Sequence, residues 1–304
     1  MLSFGVNNIG ISENMAKIAI IGSGVVGTAT GKGFHRLGND VTFYDISKKR
    51  MLSLKAEGYK TAGNTKDAIS NKDIAFVCVN TPTLSDGSQD LSQVKSALAA
   101  VTDALNSIEK YPLIVFRSTM LPGTMRKLIV DFMEKNCILR RGKDYNICYN
   151  PEFLRETTAL DDFFIPDRVI IGEDIKGSSK PLQKIYESLT ENIIITNFEE
   201  AEMIKYTSNC FLSLKISFFN EIGMICKQMG LDDKKVGHAV SLDKRIGKYG
   251  TVPGKPFDGM CLPKDTEALS LFIRKMGWDQ DLLKVTLDIN KKIEELTTTK
   301  ARLK

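Results

Sequence analysis

Short apolar runs alternate with helix-like stretches from residue 17 to about residue 197. Lys17–Ile21 is rich in branched side chains and leads through a glycine turn at Gly22 into a helix-like stretch that ends at Leu37. Strand, tight turn and helix in this order open a βαβ unit. The further apolar runs that predict strands are Asp40–Tyr44, 73–79, Leu113–Phe116 and 146–149. Helical stretches near residues 91–108 and 123–135 lie between these runs, so we predict a doubly wound parallel sheet of the α/β class.

The pattern becomes helical from about residue 198. The stretch 199–229 contains no proline and a single glycine, and a helix of that length needs burial on more than one side. A glycine-rich loop over 247–259, a helix over 265–276 and an amphipathic stretch over 279–304 follow. We therefore predict an N-terminal extension (1–16), an α/β domain (17–197) and an all-helical domain (198–304), whose long central helix also makes a dimer contact.

Composition narrows the function classes. A chain of 304 residues with 42% hydrophobic residues can bury a sizeable hydrophobic core, and its length predicts about two domains of ordinary size. The net charge of +5 is scattered rather than gathered in basic blocks, which argues against nucleic acid or a membrane surface as partner. There is no apolar run of roughly 18 residues and no signal-peptide pattern in residues 1–16, so we expect a soluble, cytoplasmic protein.

Cysteine and histidine usage narrows the chemistry further. The six cysteines form no CxxC pair and no dense cluster, which is typical of reduced thiols. With two histidines, His35 and His238, neither a His-based triad nor a His-rich metal site is expected. The chemistry must use other groups, and we expect no metal.

The glycine turn has the pattern of a dinucleotide site. Gly22 allows the sharp turn, Gly24 lets a pyrophosphate approach the backbone, and Gly27 lets helix and strand pack closely. Asp45 follows the second strand, 23 residues after Gly22, where an acid binds the adenosine ribose. Asp45 favours NAD over NADP, although Lys48, Lys49 and Arg50 lie nearby. We predict an NAD-binding Rossmann-like domain, with Val25 and Val26 completing the turn; the alternative is an α/β turn that binds no ligand.

The ends of the predicted strands supply further candidates. In such sheets the ligand crevice lies outside the carboxyl ends of the strands. The loops that would meet there carry the further cofactor-binding candidates, which are Thr81, Pro82, Thr83, Ser118 and Thr119. The loop that begins with Asn150 lies at the same edge and includes Glu152.

A second group of residues suggests oxidation through an aldehyde. Cys261 follows the glycine-rich loop, and a thiolate can hold a carbonyl as a covalent adduct while a nicotinamide removes hydride. Lys205 and Asn209, four residues apart, share one helix face and could hold a single oxygen. Taken singly, these residues could equally be a buried cysteine and an exposed pair, and Glu152 and Glu156 could be a first-turn acid with a solvated neighbour.

Four motifs in this order resemble the UDP-glucose/GDP-mannose dehydrogenase family. They are Asn150-Pro-Glu-Phe-Leu-Arg-Glu156, Ala201-Glu-Met-Ile-Lys-Tyr-Thr-Ser-Asn209, Asn220-Glu-Ile222 and Cys261-Leu-Pro-Lys-Asp265. The resemblance covers roughly residues 17–290. It implies an NAD-binding domain and a helical domain that oxidise the C6 alcohol of a nucleotide sugar to the carboxylate. The oxidation takes two hydride transfers and releases no aldehyde.

The resemblance also implies residue roles. Cys261 looks like the nucleophile, Lys205 and Asn209 like the oxyanion holders, Asp265 and Thr119 like organisers of the water, and Glu152 and Glu156 like its acid–base partners. The implied substrate contacts are Phe153, Leu154, Arg155, Lys205, Arg245, Phe257 and Gly259. Arg245 would reach a substrate in its own or in a neighbouring subunit, in a homodimer formed through the long helix.

The substrate stays open between two sugars. Residues 243–247 resemble the arginine-bearing loop of UDP-glucose enzymes, which favours UDP-glucose. The stretches 117–124 and 261–265 read closer to GDP-mannose enzymes. The sequence is also compatible with a β-hydroxyacid-type dehydrogenase and with an NAD-binding protein without activity.

The chain departs from the family in three places. The third, nucleotide-binding domain is missing, as is the insertion after the ribose-binding acid with its Tyr-Glu-Pro-Gly stretch. The family's Phe-Gly-Gly-Ser-Cys loop reads Phe257-Asp-Gly-Met-Cys261. A carboxylate at Asp258 would raise the pKa of the neighbouring thiol and repel phosphates. The chain is therefore a fragment of a longer enzyme, a compact enzyme completed by another chain, or a binding protein.

Overall fold

The computed structural model describes residues 15–278 and 281–302. Most of the predicted N-terminal extension and the ends of the 279–304 stretch lie outside the described residues. The chain divides into two compact units. The first contains the described residues up to Asn80 together with Ser92–Ala201, and the second contains Thr81–Leu91 together with the described residues from Glu202 onward. The loop Thr81–Leu91 thus groups with the second unit although it connects two elements of the first.

The first unit is built on an eight-stranded sheet. Its strands are β1 Lys17–Ile21, β2 Asp40–Tyr44, β3 Lys60–Thr61, β4 Ile74–Val77, β5 Leu113–Phe116, β6 Ile147–Tyr149, β7 Val169–Gly172 and β8 Ile193–Thr196. Their order is β3-β2-β1-β4-β5-β6-β7-β8, and the pairing is parallel except between β6 and β7. The order reverses between β1 and β4, as in a doubly wound sheet. The predicted α/β class is confirmed, with one antiparallel pair added.

Helices cover the sheet. They are α1 Val25–Arg36, α2 Lys48–Ala56, α3 Thr65–Ile69, α4 Ser92–Leu105, α5 Asp131–Asn136, α6 Ala159–Phe164 and α7 Lys180–Tyr186. A π-helical segment, Met125–Val130, leads directly into α5, and a 3₁₀ turn, Glu156–Thr158, leads into α6. The rings of Phe34 on α1, Phe76 on β4 and Phe163 on α6 are in contact, with Phe34 at the centre. This aromatic cluster anchors α1, and therefore the glycine turn before it, to the sheet.

A buried polar cluster joins the two parts of the sheet where the antiparallel pair occurs. Arg117, just after β5, donates to the carbonyl and side-chain oxygens of Asn150 and to the Tyr186 hydroxyl. The Nδ2 of Asn150 donates to the carbonyl of Ile170 on β7 at 2.8 Å. β6 and β7 pair at a single position, Tyr149 opposite Gly172, so these side chains supply the bonds that a longer ladder would.

The second unit is helical, as predicted. Its helices are α8 Phe198–Gln228, which begins in the first unit, α9 Asp233–Ser241, α10 Leu262–Lys275 and α11 Leu282–Arg302. The hydroxyl of Ser213 on α8 accepts from Thr266 on α10 at 2.8 Å, and the hydroxyl of Ser217 donates to the Thr286 carbonyl on α11 at 2.9 Å. These buried bonds pack the long central helix against both partners. No helix within the described residues is long and apolar enough to cross a membrane.

Candidate active site

The glycine turn between β1 and α1 has the backbone geometry that a dinucleotide needs. Gly22 has φ +91°, and a Cβ there would lie 2.5 Å from the carbonyl oxygen of Cys78 on the neighbouring β4 end. A Cβ at Gly27 would overlap the carbonyl oxygen of Gly22. At Gly24 the nearest atom to a Cβ would be Asn80 Oδ1 at 3.9 Å, so the space in front of the helix is open. The turn is therefore tight on the protein side and accessible on the other.

Asp45 is held rigidly at the end of β2. One carboxylate oxygen accepts the backbone N–H of Ser23 and the other accepts that of Ser47, both at 2.7 Å. Arg50 Nη1 lies 3.4 Å from the first of these oxygens. Asp45 as a whole residue is 8% exposed. The remaining lone pairs of its carboxylate can accept hydrogen bonds from ribose hydroxyls.

A cavity of about 260 Å³ adjoins this carboxylate in the first unit. Its walls are the glycine turn, the Asp45 loop with Ile46 and Arg50, and the N-terminal half of α4. The first turn of α1, with Val25 and Val26, carries no acidic side chain that would compete for its amide groups. An open helix N-terminus, a ribose acceptor and an adjoining cavity fit the pyrophosphate and adenosine of NAD.

The other cofactor candidates lie in two places. Ser118 follows β5, and its hydroxyl both donates to the carbonyl of Val79 and accepts its N–H, which ties the ends of β5 and β4 together. Thr119 is half-buried beside it. The candidates in the second unit, Thr81, Pro82 and Thr83, open the loop Thr81–Leu91, which closes on itself through a bridge between Thr83 and Gln89.

The second unit brings together the predicted catalytic side chains of α8 and α10. Asn209 Nδ2 donates to Asp265 Oδ2 at 2.6 Å, and Lys264 Nζ lies 2.5 Å from the other carboxylate oxygen. Lys205, 2% exposed, lies one turn before Asn209 on the same helix face. Asp265 is fully buried, so the two bonds to its carboxylate compensate for the loss of its hydration. The arrangement fixes the amide of Asn209 while leaving its second N–H for another acceptor.

Cys261 is the residue immediately before α10. Its carbonyl accepts the N–H of Asp265 at 2.9 Å, so the thiol stands at the helix N-terminus. Helix N-termini favour a thiolate. We expected α10 to begin at Asp265, but it begins at Leu262 because Pro263 fits the first helical turn.

Cys261 is the exposed cysteine among the six, all of which lie in described residues and none of which is in a disulfide. Burial raises the pKa of the Cys78, Cys148 and Cys210 thiols to about 12. Burial also raises the pKa of Cys137. These thiols remain protonated at neutral pH, whereas Cys261 is exposed and Cys137 only partly so.

Two buried asparagines hold the loop that leads to Cys261. Asn220 on α8 accepts the N–H of Gly254 and donates to the carbonyl of Lys255, both at 2.7 Å. Asn290 on α11 accepts the N–H of Phe257 at 2.7 Å and donates to its carbonyl at 3.0 Å. Neither role was predicted; an amide at helical spacing from Leu283 and Ile293, on the buried face of α11, is the signal that could have identified Asn290.

The three residues between Phe257 and Cys261 are exposed. Phe257 is buried, while Gly259, at φ +79°, and its neighbours Asp258 and Met260 are exposed. The two residues that depart from the family pattern therefore face solvent within the second unit.

The candidates after β6 lie in the first unit. Glu152 is buried and accepts the N–H of Leu154 at 2.6 Å. The ring of Phe153 stacks under the guanidinium of Arg168 at 4.1 Å. Arg155 is exposed and paired with Asp162, and Glu156 is exposed at the start of the 3₁₀ turn. Glu152 and Glu156 thus differ sharply in burial.

Comparisons with known proteins give a consistent result. The family model described as the UDP-glucose/GDP-mannose dehydrogenase family, NAD binding domain, matches residues 53–190, and the central domain of the same family matches 199–292. UDP-glucose 6-dehydrogenase of Rickettsia bellii is 36% identical over 93% of this chain and 68% of its own length. GDP-mannose 6-dehydrogenase of Pseudomonas syringae pv. tomato is 35% identical over 88% of this chain and 66% of its own.

Structural similarity agrees. A UDP-glucose dehydrogenase from the archaeon Pyrobaculum islandicum superposes with a TM-score of 0.88 at 34% identity, over 94% of this chain and 70% of that one. The chain thus spans about two thirds of the length of the relatives it matches.

The Rossmann-type sheet and its glycine turn, with Asp45 at the end of β2, are typical of dinucleotide-dependent oxidoreductases. The chain belongs to the UDP-glucose/GDP-mannose dehydrogenase family, as its motifs predicted.

Proposed function

We propose that the protein oxidises the C6 alcohol of a nucleotide sugar to the carboxylate, with UDP-glucose as the favoured substrate and NAD as the oxidant. The observation that carries the proposal is the Asn209–Asp265 bond. It links the Lys205–Asn209 face of α8 to the first turn of α10, where Cys261 is the preceding residue. This bond supports the proposal that the amine and amide of α8 act together with the thiol that precedes α10, since all three residues lie in one unit.

The first half of the reaction uses the buried side chains of α8. The chemistry that NAD supplies when bound is acceptance of hydride from C6, twice. The ammonium of Lys205 and the amide of Asn209 hold the oxygen of C6, stabilising first an alkoxide and later an oxyanion. Because both side chains are buried, their charge and dipole act in a medium of low dielectric constant, where they stabilise a negative oxygen most strongly.

The second half uses the thiol. Cys261 as thiolate adds to the aldehyde carbon, forming a C–S bond and a thiohemiacetal whose loss of hydride leaves a thioester. Water then breaks the C–S bond, and the thiol regains a proton. We assign general base and acid roles at the water to Glu152 and Glu156, and its placement to Asp265 and Thr119. Overall, the alcohol, two NAD⁺ and one water give the carboxylate, two NADH and three protons.

The preference for UDP-glucose over GDP-mannose rests on one loop, residues 243–247, and not on the relatives. The relatives named above include a UDP-glucose and a GDP-mannose 6-dehydrogenase, so the comparison by itself leaves the sugar undecided. Arg245 in the 243–247 turn is 88% exposed, and its guanidinium forks onto Asp243. An exposed guanidinium that already holds a carboxylate has the geometry to hold an anionic substrate.

A second copy of this chain is the proposed partner. The side chains of Phe211, Phe218 and Ile225 on α8, and of Met229 directly after its last residue, are between 47% and 66% exposed. They are seven, seven and four residues apart and therefore lie along one stripe of the helix. A stripe of this kind can pack against the same stripe of another copy around a two-fold axis, burying four large apolar side chains from each chain.

The proposed function is tested by stoichiometry. Protein, NAD and a limiting amount of UDP-glucose or GDP-mannose should give two NADH per sugar consumed and a uronate product, measured by absorbance and mass spectrometry. One NADH per sugar, with aldehyde that a hydrazine reagent can trap, would overturn the covalent route. No NADH from either sugar would overturn the proposed activity for this chain.

Cofactor preference gives a second prediction. Replacing Asp45 with alanine removes the ribose acceptor, so the KM for NAD should rise roughly tenfold. The preference of the protein for NAD over NADP should fall at the same time. Asp103→Ala, exposed on α4 outside the cavity, is the matched control and should leave both cofactors unaffected. Steady-state rates with the two cofactors measure both effects. Equal KM values for wild type and Asp45→Ala would remove Asp45 from the cofactor site.

A further inference from the structure

The turn that carries Arg245 has an unusual attachment. Asp243 accepts the N–H groups of Ile246 and Gly247 through its carbonyl, both at 2.9 Å, so residues 243–247 form a closed turn after α9. Gly247 has φ +70° and ends the turn. The carbonyls of Ile246 and Gly247 leave the turn together and need donors from outside it.

Lys215 on α8 supplies both donors. Its Nζ lies 2.5 Å from the Ile246 carbonyl and 3.1 Å from the Gly247 carbonyl. In the described part of the chain Lys215 makes no ion pair, so its bonds go to these backbone oxygens. A lysine that caps the carbonyls at the end of a helix turn uses the same interaction.

The next residue of α8 supports the other side of the same loop. A Cβ at Gly250, where φ is +72°, would lie 3.0 Å from the side chain of Ile216, so the loop passes close against the helix there. Consecutive residues of α8 therefore contact the chain on both sides of Lys248. The backbone of the turn is thus fixed at the two residues that follow Arg245.

The Arg245 side chain is held much less firmly than its backbone. Its Nη2 lies 2.6 Å from Asp243 Oδ2, in a pair in which Arg245 is 88% and Asp243 35% exposed. Exposed pairs of this kind contribute little to stability. The guanidinium can therefore exchange Asp243 for an anionic ligand at small cost while Lys215 keeps its backbone in place.

We propose that Lys215 is a positioning residue for substrate capture: its ammonium fixes the 243–247 turn on α8 so that Arg245 is presented to the phosphate or sugar of the nucleotide sugar. The capture step rests on the proposed function, whereas the fixing of the turn does not. Lys215 itself touches neither substrate nor cofactor in this assignment.

The experiment uses three variants of the full chain. Lys215→Met removes the donors while keeping a long side chain, and Lys215→Arg restores donors to both carbonyls. Lys227→Met is the matched control, because Lys227 lies on the same helix and pairs with Asp233 rather than with the turn. Thermal unfolding of each variant establishes that it is folded.

Two readouts are measured. Limited trypsin digestion, read by mass spectrometry, reports cleavage after Lys244, Arg245 and Lys248, and does not require activity. Steady-state kinetics reports KM for the sugar nucleotide, KM for NAD and kcat. We expect Lys215→Met to speed cleavage in the turn and to raise the sugar-nucleotide KM roughly tenfold, with kcat and the NAD KM unchanged. In Lys215→Arg the cleavage rate and the sugar-nucleotide KM should both return most of the way to their wild-type values. Lys227→Met should match wild type in both measurements.

Each departure from this result is informative. Unchanged cleavage in Lys215→Met would overturn the fixing of the turn. Faster cleavage with a fall in kcat alone would overturn the link to substrate capture. The same link would be overturned if Lys215→Met still raised the sugar-nucleotide KM tenfold in a chain that also carries Arg245→Ala. Faster cleavage in a chain that oxidises no nucleotide sugar would support the fixing of the turn and overturn the proposed function.

Discussion

Replacing Cys261 with alanine should stop the second oxidation while the first hydride transfer remains measurable. Without the thiol no C–S bond can form, so the aldehyde has no covalent route to the thioester. Carboxylate formation should fall by at least about a thousandfold, as is usual when a covalent nucleophile is removed. The measurement is uronate produced per sugar consumed, together with aldehyde trapped in the same reaction.

The control for this prediction is another cysteine. Cys137 is half-buried in the first unit, and Cys137→Ala should oxidise sugar as wild type does. Iodoacetamide provides an independent check, because Cys261 is the exposed thiol while burial raises the pKa of Cys78, Cys148 and Cys210 to about 12. Full carboxylate yield from Cys261→Ala would overturn the covalent role of Cys261. One NADH per sugar with a carbonyl product, in wild type and Cys261→Ala alike, would point instead to a β-hydroxyacid-type dehydrogenase, which is indifferent to this residue.

The strands of the first unit were largely predictable because their side chains are buried on both faces. The runs at β1, β2 and β5 match the structure residue for residue, since the interior residues of each strand are buried whichever face of the sheet they point to. β7 and β8 were missed, although both are rich in isoleucine, and β3 is too short to produce a pattern. The antiparallel pairing of β6 with β7 depends on the Arg117–Asn150 cluster, which no local pattern encodes.

The candidate catalytic residues were proposed for a different reason. Lys205 and Asn209 are related by helical spacing, and Cys261 and Asp265 are related across the first turn of α10, so each pair is local in sequence. What joins the pairs is the Asn209–Asp265 bond, which spans 56 residues. The resemblance alone implied that the two pairs share a site, and the bond itself was not predicted. The side chains that hold loop backbone were not predictable at all. Lys215 and Asn290 act on carbonyls and amides that only the folded chain brings to them.

The loop Thr81–Leu91 shows the same limit. It follows β4 and was therefore expected to belong to the cofactor-binding domain. In the structure Gln89 donates to the hydroxyl of Tyr206 on α8 at 3.1 Å, and Gly87 approaches Glu267 on α10. The order of the strands shows where a loop starts. The unit to which the loop belongs depends on the residues that it contacts in the folded chain.

Gly27→Ala should destabilise the first unit and remove NAD binding together. In most helix interiors alanine is more stable than glycine by about 0.5–1 kcal/mol. At Gly27 the added Cβ would overlap the carbonyl oxygen of Gly22, which is backbone and cannot rotate away. The turn and α1 must separate, at a cost of roughly 1–3 kcal/mol, so the steric effect exceeds the propensity gain. The midpoint of thermal unfolding should fall by several degrees.

Two further glycines separate stability from binding. A Cβ at Gly24 meets no close atom, so Gly24→Ala should unfold at the wild-type temperature yet lose NAD binding, because the methyl group stands where the pyrophosphate would approach. Gly63 also has open space, lies outside the turn, and should tolerate alanine in both respects. Calorimetric titration with NAD and thermal unfolding of all three variants test this. Wild-type stability and NAD affinity in Gly27→Ala would show that the turn is not the element that holds the cofactor, since a dinucleotide held there requires helix and strand in direct contact.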